Sequence, residues 1–528
     1  MSESTPRSVF VPHRKWLSDG PVHGQGVGAG FLVLMMALAS ALRFYALNDP
    51  SLWVDEIATW RELRPGAGLV FYTQVLDSIQ GPLYMAVLWP LVRIFDAETV
   101  MRIPAAVAGV LTVGLFGAAA GRWLDRRSAR IGTLLLALSP FHVWYSQEAR
   151  GYAFLLFFVV AMGFLFREMA AHGATPRKAV LFGLASAGAV WSNMSGVFIW
   201  VALGLSLLFM VPPRSRRQWG LWSLAFGLGG VLMAPWLLKA SGIWAVGRIL
   251  PGAATGVALR DATTFSPLAI PYALFTFFFG HSLGPSLREL HQPDRLAVVK
   301  SHLPLLAAGA LPVAAAVGFA LWRLRRRHLF LLVWGIVPMA LLAVLAWRNI
   351  KPWNVRYVMV ALPWLLMLTA YGLGQMPRRV GSVITLWLAG LALWSLGGYY
   401  WNPAYAKEDL RAAAAWVSSA EEGASTVLVP VVTSVFDFYY DGPAEVLDTF
   451  QEPKLRRVED GLDLVDRRLA GRDALWLVES RPWYFDPDGV LPLALARRGH
   501  LRLARDLPGV RIYYWERISP GDRGYDQN

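Results

Sequence analysis

Asp55 and Glu56, adjacent in the stretch SLWVDEIATW, lie a few residues beyond the first long apolar segment of the chain. Two carboxylates at a membrane face suit two kinds of chemistry. They take a proton from a hydroxyl, or they hold a divalent cation such as Mg²⁺ or Mn²⁺, which prefers hard oxygen ligands. A helix N-terminus, whose dipole favours acidic residues, explains the same pair with no chemistry at all. Further candidates are Gln80 and Tyr84 in QGPLY, Arg102 at the start of an apolar run, Tyr145, Gln147, Glu148 and Arg150 in YSQEARGY, and Arg356 and Tyr357 in NVRY. Ionisable groups where spans meet the interface are costly unless paired or functional. Glu148 with Arg150 also reads as a local structural ion pair. Taken together with Asp55, Arg102 and Arg356, it forms an acidic centre ringed by guanidinium groups. That combination suits a phosphorylated substrate, because Arg offers a planar fork to phosphate oxygens while a carboxylate deprotonates an incoming hydroxyl. His142 and His281 lack metal-ligand spacing and read as hydrogen-bonded structural residues.

These residues must be positioned by membrane-spanning helices. The 528 residues are 55% hydrophobic and only 16% charged, with a mean hydropathy of +0.41. That excludes an ordinary soluble domain and indicates a polytopic α-helical membrane protein. The net charge of +14 does not point to nucleic acid, since Arg and Lys cluster in short loops between apolar runs. Only seven basic residues are Lys, a bias compatible with a GC-rich bacterial genome, and the absence of Cys excludes disulfides and thiolate metal sites.

The run 26–47 follows a basic tail, residues 1–25, which is therefore expected in the cytoplasm, and the run is read as an uncleaved span. Further runs of spanning length occur near 102–123, 131–147, 149–169, 179–211 (a tight pair), 218–239, 303–322, 329–347, 356–375 and 380–399. Two shorter runs, near 81–95 and 268–284, are ambiguous. The basic loops 122–130, 167–178, 214–217, 323–327 and 378–379 all face the cytoplasm only if neither short run crosses, so both are read as re-entrant or surface-lying helices. The count is about 11 full spans plus two short helices. A membrane domain over 26–400 then presents loops 48–101 and 240–302 on the outer face, the second a candidate lid. Residues 401–528 form a small α/β domain on the same side, with a helix over 404–418 and strands at TVLVPVV, DALWLVES and RIYYWER. A helix near 492–498 completes it.

The stretches SLWVDE, QGPLYMAVLW, ETVMRIPAAVAGVLTV, SPFHVWYSQEARGYAFLL, VRYVMVALPWLLML and NPAYAKEDLRAAAAWV resemble the GT-C superfamily, specifically the bacterial family 39-like glycosyltransferases. Their relatives include protein O-mannosyltransferases and the lipid A aminoarabinose transferase. The resemblance covers about residues 26–420. It implies an inverting transfer of a sugar from a polyprenyl-phosphate donor to a lipid, glycan or protein acceptor at the outer face of the bacterial cytoplasmic membrane. It also implies roles. Asp55 is the base or a metal-supported equivalent, with Glu56 and Glu148 as neighbouring catalytic carboxylates and Asp55 and Glu56 as candidate ligands of a divalent cation. Arg102, Arg150, Arg356 and Tyr357 bind the donor phosphate, and Gln80, Tyr84, Tyr145 and Gln147 lie near the substrate. Two departures stand out: Gly81-Pro82 occupies the place of a Lys-Pro in the aminoarabinose branch, and no MIR domain is found, which weakens a protein acceptor.

Two rival classes remain at this stage. A flippase or transporter of lipid-linked oligosaccharide is expected to place its ionisable groups near mid-bilayer in two similar halves, and neither feature is found here. A polymerase or ligase of surface polysaccharide asks for the same base and phosphate clamp.

Overall fold

The computed structural model describes residues 26–64, 81–240, 265–291, 294–348, 350–420, 423–449 and 452–518. Among them, seven helices are long and apolar enough to cross a membrane: Ala97–Trp123, Tyr152–His172, Arg216–Leu238, Leu303–Trp322, Arg326–Trp347, Val355–Gln375 and Arg378–Trp401. The protein is therefore a multi-pass helical membrane protein, with shorter apolar helices packed among these spans. The tight pair expected over 179–211 appears as the helices Pro176–Ser192 and Gly196–Phe209. The two ambiguous runs form the helices Pro82–Ile94 and Ala269–Phe279, each well short of the ~20 residues a span needs.

Two expected spans differ in the structure. The run 26–47 yields only Ala29–Phe44, because Tyr45 turns to extended backbone. The run 131–147 breaks into Arg126–Leu138 and Pro140–Ser146. Pro140 keeps Ser139 out of helical geometry, and the Ser139 hydroxyl accepts from the His142 N–H at 3.2 Å to start the second piece. The carbonyls freed by the break need partners in an apolar setting. Buried Arg43 donates to Ala137 O at 3.2 Å, Leu136 O at 3.4 Å and His142 Nδ1 at 2.8 Å, so both Arg43 and His142 have structural work.

The basic loops gather at one end of the bundle. Arg127 donates to the carbonyls of Gly374, Met376 and Arg378, Arg122 pairs with Glu168 at 3.0 Å, Ala174 N donates to Gln218 at 2.9 Å, and Tyr371 donates to Arg323 O at 2.9 Å. The first helix starts at the same end, where Arg130 donates to Val27 O at 3.0 Å.

The C-terminal region carries a mixed sheet of β1 (Thr426–Val429), β2 (Glu445–Asp448), β3 (Ala474–Ser480), β4 (Gly499–Leu507) and β5 (Val510–Arg517), in the order β2-β1-β3-β5-β4. β1 lies parallel to β2 and β3, while β5 lies antiparallel to β3 and β4. The helix expected over 404–418 begins only at Leu410, because the Asp409 carboxylate accepts from Ala412 N at 3.0 Å and caps it. Residues 404–408 are left as non-helical chain. This region docks on the short helix Val54–Leu63: Ser51 donates to Glu408 O at 2.7 Å, Tyr439 accepts from Leu52 N at 2.8 Å, and the Trp60 and Phe438 rings meet edge to face at 4.8 Å.

Candidate active site

Asp55 and Glu56 occupy consecutive positions in the first turn of the helix Val54–Leu63, so their side chains leave it roughly 100° apart. They consequently meet different surroundings. Glu56 is fully buried. Its Oε1 accepts from Arg102 Nε and Ala149 N, each at 2.8 Å, and its Oε2 accepts from Arg102 Nη2 at 2.6 Å and Trp53 N at 3.2 Å. Arg102 spends its remaining N–H groups on Leu47 O at 2.9 Å, Pro50 O at 2.8 Å and Ser51 O at 3.0 Å. A guanidinium has five donors, and all five are used inside the protein. Arg102 has no donor left for a phosphate, and Glu56 no free lone-pair direction for a cation.

Burial alone would push the Glu56 carboxyl up, but the charges of Arg102 and Lys407 and the hydrogen bonds from Arg102 and Ala149 outweigh it and bring it from 4.5 down to about 2. A depressed carboxyl contributes stability above its unfolded value that is lost as pH falls through its folded value. The difference in Tm between wild type and Glu56→Gln is therefore expected to be largest above pH 4.5 and to shrink as pH falls toward 2. Thermal unfolding followed in detergent across that range checks it, and a difference independent of pH would contradict it.

Asp55 faces outward. Its Oδ2 accepts from Arg356 Nη1 at 2.8 Å, with the two side chains 28% and 23% exposed, so the pair is reachable from solvent. Arg356 opens the helix Val355–Val358, where Asn354 caps its backbone N–H at 3.1 Å. Arg150 donates to Asp55 O and to Thr59 Oγ1, each at 3.3 Å. These groups border a cavity of about 180 Å³ whose charged lining is Asp55, Arg150, Lys351 and Arg356, with Tyr152 and Tyr357 beside them. Gly81 forms part of the wall with φ +82°, and a Cβ there would lie 2.7 Å from Ser192 O and 2.8 Å from Trp191 O. A lysine at this position would not fit. Lys351, whose ammonium lies 4.6 Å from the Tyr357 ring centre, supplies a cation to the same cavity.

A second cavity of about 440 Å³ lies between the membrane helices and the C-terminal region, and Arg356 lines it as well. Glu148 belongs to this one. It is 2% exposed, its Oε1 accepts from Trp144 Nε1 at 2.7 Å and lies 3.8 Å from Lys407 Nζ, and its Oε2 has no partner. Burial raises the Glu148 carboxyl against the opposing charge of Lys407, and burial lowers the Lys407 ammonium against the pull of Glu56 and Glu148. Arg481 and Glu408 form a two-pronged pair in the same wall, both contacts at 2.8 Å.

The structure thus brings Asp55, Arg150, Arg356 and Tyr357 together, with Tyr84 in the same cavity wall, and places Glu56, Arg102, Tyr145, Gln147 and Glu148 elsewhere. Gln147 uses its amide on Arg43 O, Tyr45 O and the Tyr399 hydroxyl, at 3.1, 2.8 and 2.8 Å, which ties helix ends together. Tyr84 borders the first cavity, but its hydroxyl donates to Met101 O at 2.5 Å. Tyr145 lines the second cavity, its ring 5.1 Å from that of Tyr152. Gln80 and residues 241–264 of the expected lid lie outside the described residues. The expected cation pair does not fit a metal: the side chains diverge, the Glu56 oxygens are occupied, and no group of three or more His, Asp or Glu among the described residues is placed to hold one. Lys351, Lys407 and Arg481 are the residues the sequence reading missed. A usable signal was the scarcity of Lys, since two of only seven fall beside these cavities.

No protein-family model and no curated protein sequence matches the chain. Among solved structures it is similar to ArnT from Cupriavidus metallidurans in the apo state, with a TM-score of 0.53 and 15% identity over 92% of this chain and 98% of that one. It is also similar to the same protein bound to undecaprenyl phosphate, with a TM-score of 0.51, 16% identity and the same coverage. The chain has the GT-C fold.

Proposed function

We propose that the chain is an integral-membrane inverting glycosyltransferase that moves a sugar from a polyprenyl-phosphate donor to a hydroxyl of a cell-envelope lipid, glycan or protein at the extracytoplasmic face of the bacterial cytoplasmic membrane. The observation that carries the reading is the first cavity: one reachable carboxylate, Asp55, among three cations, Arg150, Lys351 and Arg356. The undecaprenyl phosphate held by the ArnT structure of the same fold supports a lipid-phosphate donor.

In this reading the donor phosphate lies against Arg356, Lys351 and the Tyr357 hydroxyl. Arg356 turning toward the phosphate frees the Asp55 oxygen to which it donates. The Asp55 carboxylate then takes the proton of the acceptor hydroxyl while that oxygen forms a bond to the anomeric carbon. The bond from that carbon to the phosphate oxygen breaks on the opposite side, and its electron pair leaves with the phosphate, where Arg356 stabilises it. Glu56 and Arg102 act by holding the helix that presents Asp55.

Mass spectrometry of envelope glycans and lipids from a deletion strain tests the reading. Loss of one glycosylated species with accumulation of a lipid-linked sugar is expected, and an unchanged profile would overturn it. Lys351→Met is expected to raise the KM for the polyprenyl-phosphate donor by about tenfold with little change in kcat, the effect of losing one charge-assisted contact to phosphate. Equal losses in kcat and kcat/KM would instead place Lys351 in contact with the transition state alone.

A further inference from the structure

The second cavity has a use that the donor chemistry does not require. Its volume of about 440 Å³ falls within the roughly 300–1,000 Å³ of small-molecule sites. Its lining joins four stretches of the membrane domain, at Trp53 and within 144–148, 272–291 and 353–356, to two segments of the C-terminal region, residues 404–408 and 481–484. Aromatic rings supply much of the wall, among them Trp53, Trp144, Tyr405 and Trp483. Five buried polar atoms without a partner lie on residues of this lining: Glu148 Oε2, Trp53 Nε1, Trp483 Nε1, His281 Nδ1 and Arg356 Nε. Such atoms are rare in a folded protein, and a cluster of them beside one cavity calls for a ligand or water that satisfies them. The charges are largely answered from within: Lys407 faces Glu148, Arg481 pairs with Glu408, Arg356 with Asp55, and Arg288 donates to Ala406 O at 2.6 Å. A cavity whose cations, Arg288 apart, are paired with carboxylates, and which offers flat apolar faces and interleaved single donors and acceptors, suits a polyhydroxylated ring. Its C–H face stacks on an aromatic side chain and its hydroxyls both donate and accept. Among the described residues no β-strand contributes to the lining, so an extended peptide finds no edge there to pair with. At Arg481 the backbone adopts φ +52°, a conformation a non-glycine residue holds at a cost, and it is the residue that fixes Glu408 in this wall.

We infer that this cavity is the acceptor site and that it takes a saccharide, with Glu148 and Lys407 hydrogen-bonding its hydroxyls and Trp483 of the C-terminal region stacking on its ring. The inference rests on the glycosyltransferase reading only for the word acceptor. Arg356, the wall common to both cavities, is the point past which the sugar hydroxyl approaches Asp55.

The test uses the full chain in nanodiscs and a panel of methyl glycosides of mannose, glucose, galactose, N-acetylglucosamine and arabinofuranose, with short Ser/Thr peptides as the competing class. Saturation-transfer NMR is expected to show at least one glycoside bound and the peptides unbound. Affinity is expected to fall about tenfold in Trp483→Ala and in Glu148→Gln. Binding of undecaprenyl phosphate, measured on the same samples, is expected to be unchanged in Trp483→Ala. A diazirine-bearing version of the bound glycoside, photolysed on the wild-type protein, is expected to label residues 404–408 or 481–484, which requires no variant to fold. Binding of peptide and no glycoside, glycoside binding indifferent to both substitutions, or labelling away from these segments would each overturn the inference. Failure of the donor reading appears separately, as an unchanged envelope profile in the deletion strain alongside intact glycoside binding.

Discussion

Asp55→Asn is expected to lower the rate of sugar transfer by roughly 10² to 10⁴ while polyprenyl-phosphate binding stays near the wild-type value. Asn keeps the shape and still accepts a hydrogen bond from Arg356, but it cannot take a proton at neutral pH. The Asp55 side chain is partly exposed and has one ion-pair partner, so its replacement leaves little buried charge behind and the fold is expected to survive. Single-turnover transfer with a purified, monodisperse variant, set beside donor binding by native mass spectrometry, separates the two effects. Near wild-type transfer with intact donor binding would remove Asp55 from the role of base.

Arg102→Met is expected to act on stability instead. Removing one partner of a buried ion pair costs about 3–5 kcal/mol because the other charge is left without compensation. Here the carbonyls of Leu47, Pro50 and Ser51 lose their donors as well. The expected result is protein that fails to accumulate or melts at a markedly lower temperature, with part of the loss recovered in the double variant Arg102→Met with Glu56→Gln, which leaves no buried charge unpaired. A phosphate ligand predicts the reverse pattern: weakened donor binding at an unchanged Tm. Melting curves of the single and double variants decide between them.

The comparison of these two substitutions shows what was legible in the sequence. The class of fold was readable from apolar runs and basic loops, because hydrocarbon thickness and the cost of burying charge act on each segment separately. The breaks were not: Pro140 ends a helix in the middle of a run that hydropathy alone reads as continuous, and Asp409 starts one later than periodicity suggests. At the site, residue type identified Asp55, Arg150, Arg356 and Tyr357, which converge in space. It could not divide Asp55 from Glu56 or Arg102 from Arg356. Those distinctions depend on which side of a helix a residue leaves from and how many carbonyls lie within reach, neither of which is written in local composition. Lys407 is obscured for a different reason: periodicity predicts a helix over 404–418, whereas residues 404–408 are non-helical chain in the wall of a cavity.

The hydrogen bonds from Ser51 to Glu408 and from Leu52 to Tyr439 join partners separated by 357 and 387 positions in the chain. At synthesis rates of about 5–20 residues per second, the loop that presents Asp55 leaves the ribosome roughly 20 to 70 s before Glu408 exists. During that interval the loop lacks two of its anchors and the larger cavity lacks its far wall. The order of biosynthesis therefore decides when that cavity exists: its walls are complete only once the last segments fold back onto the first.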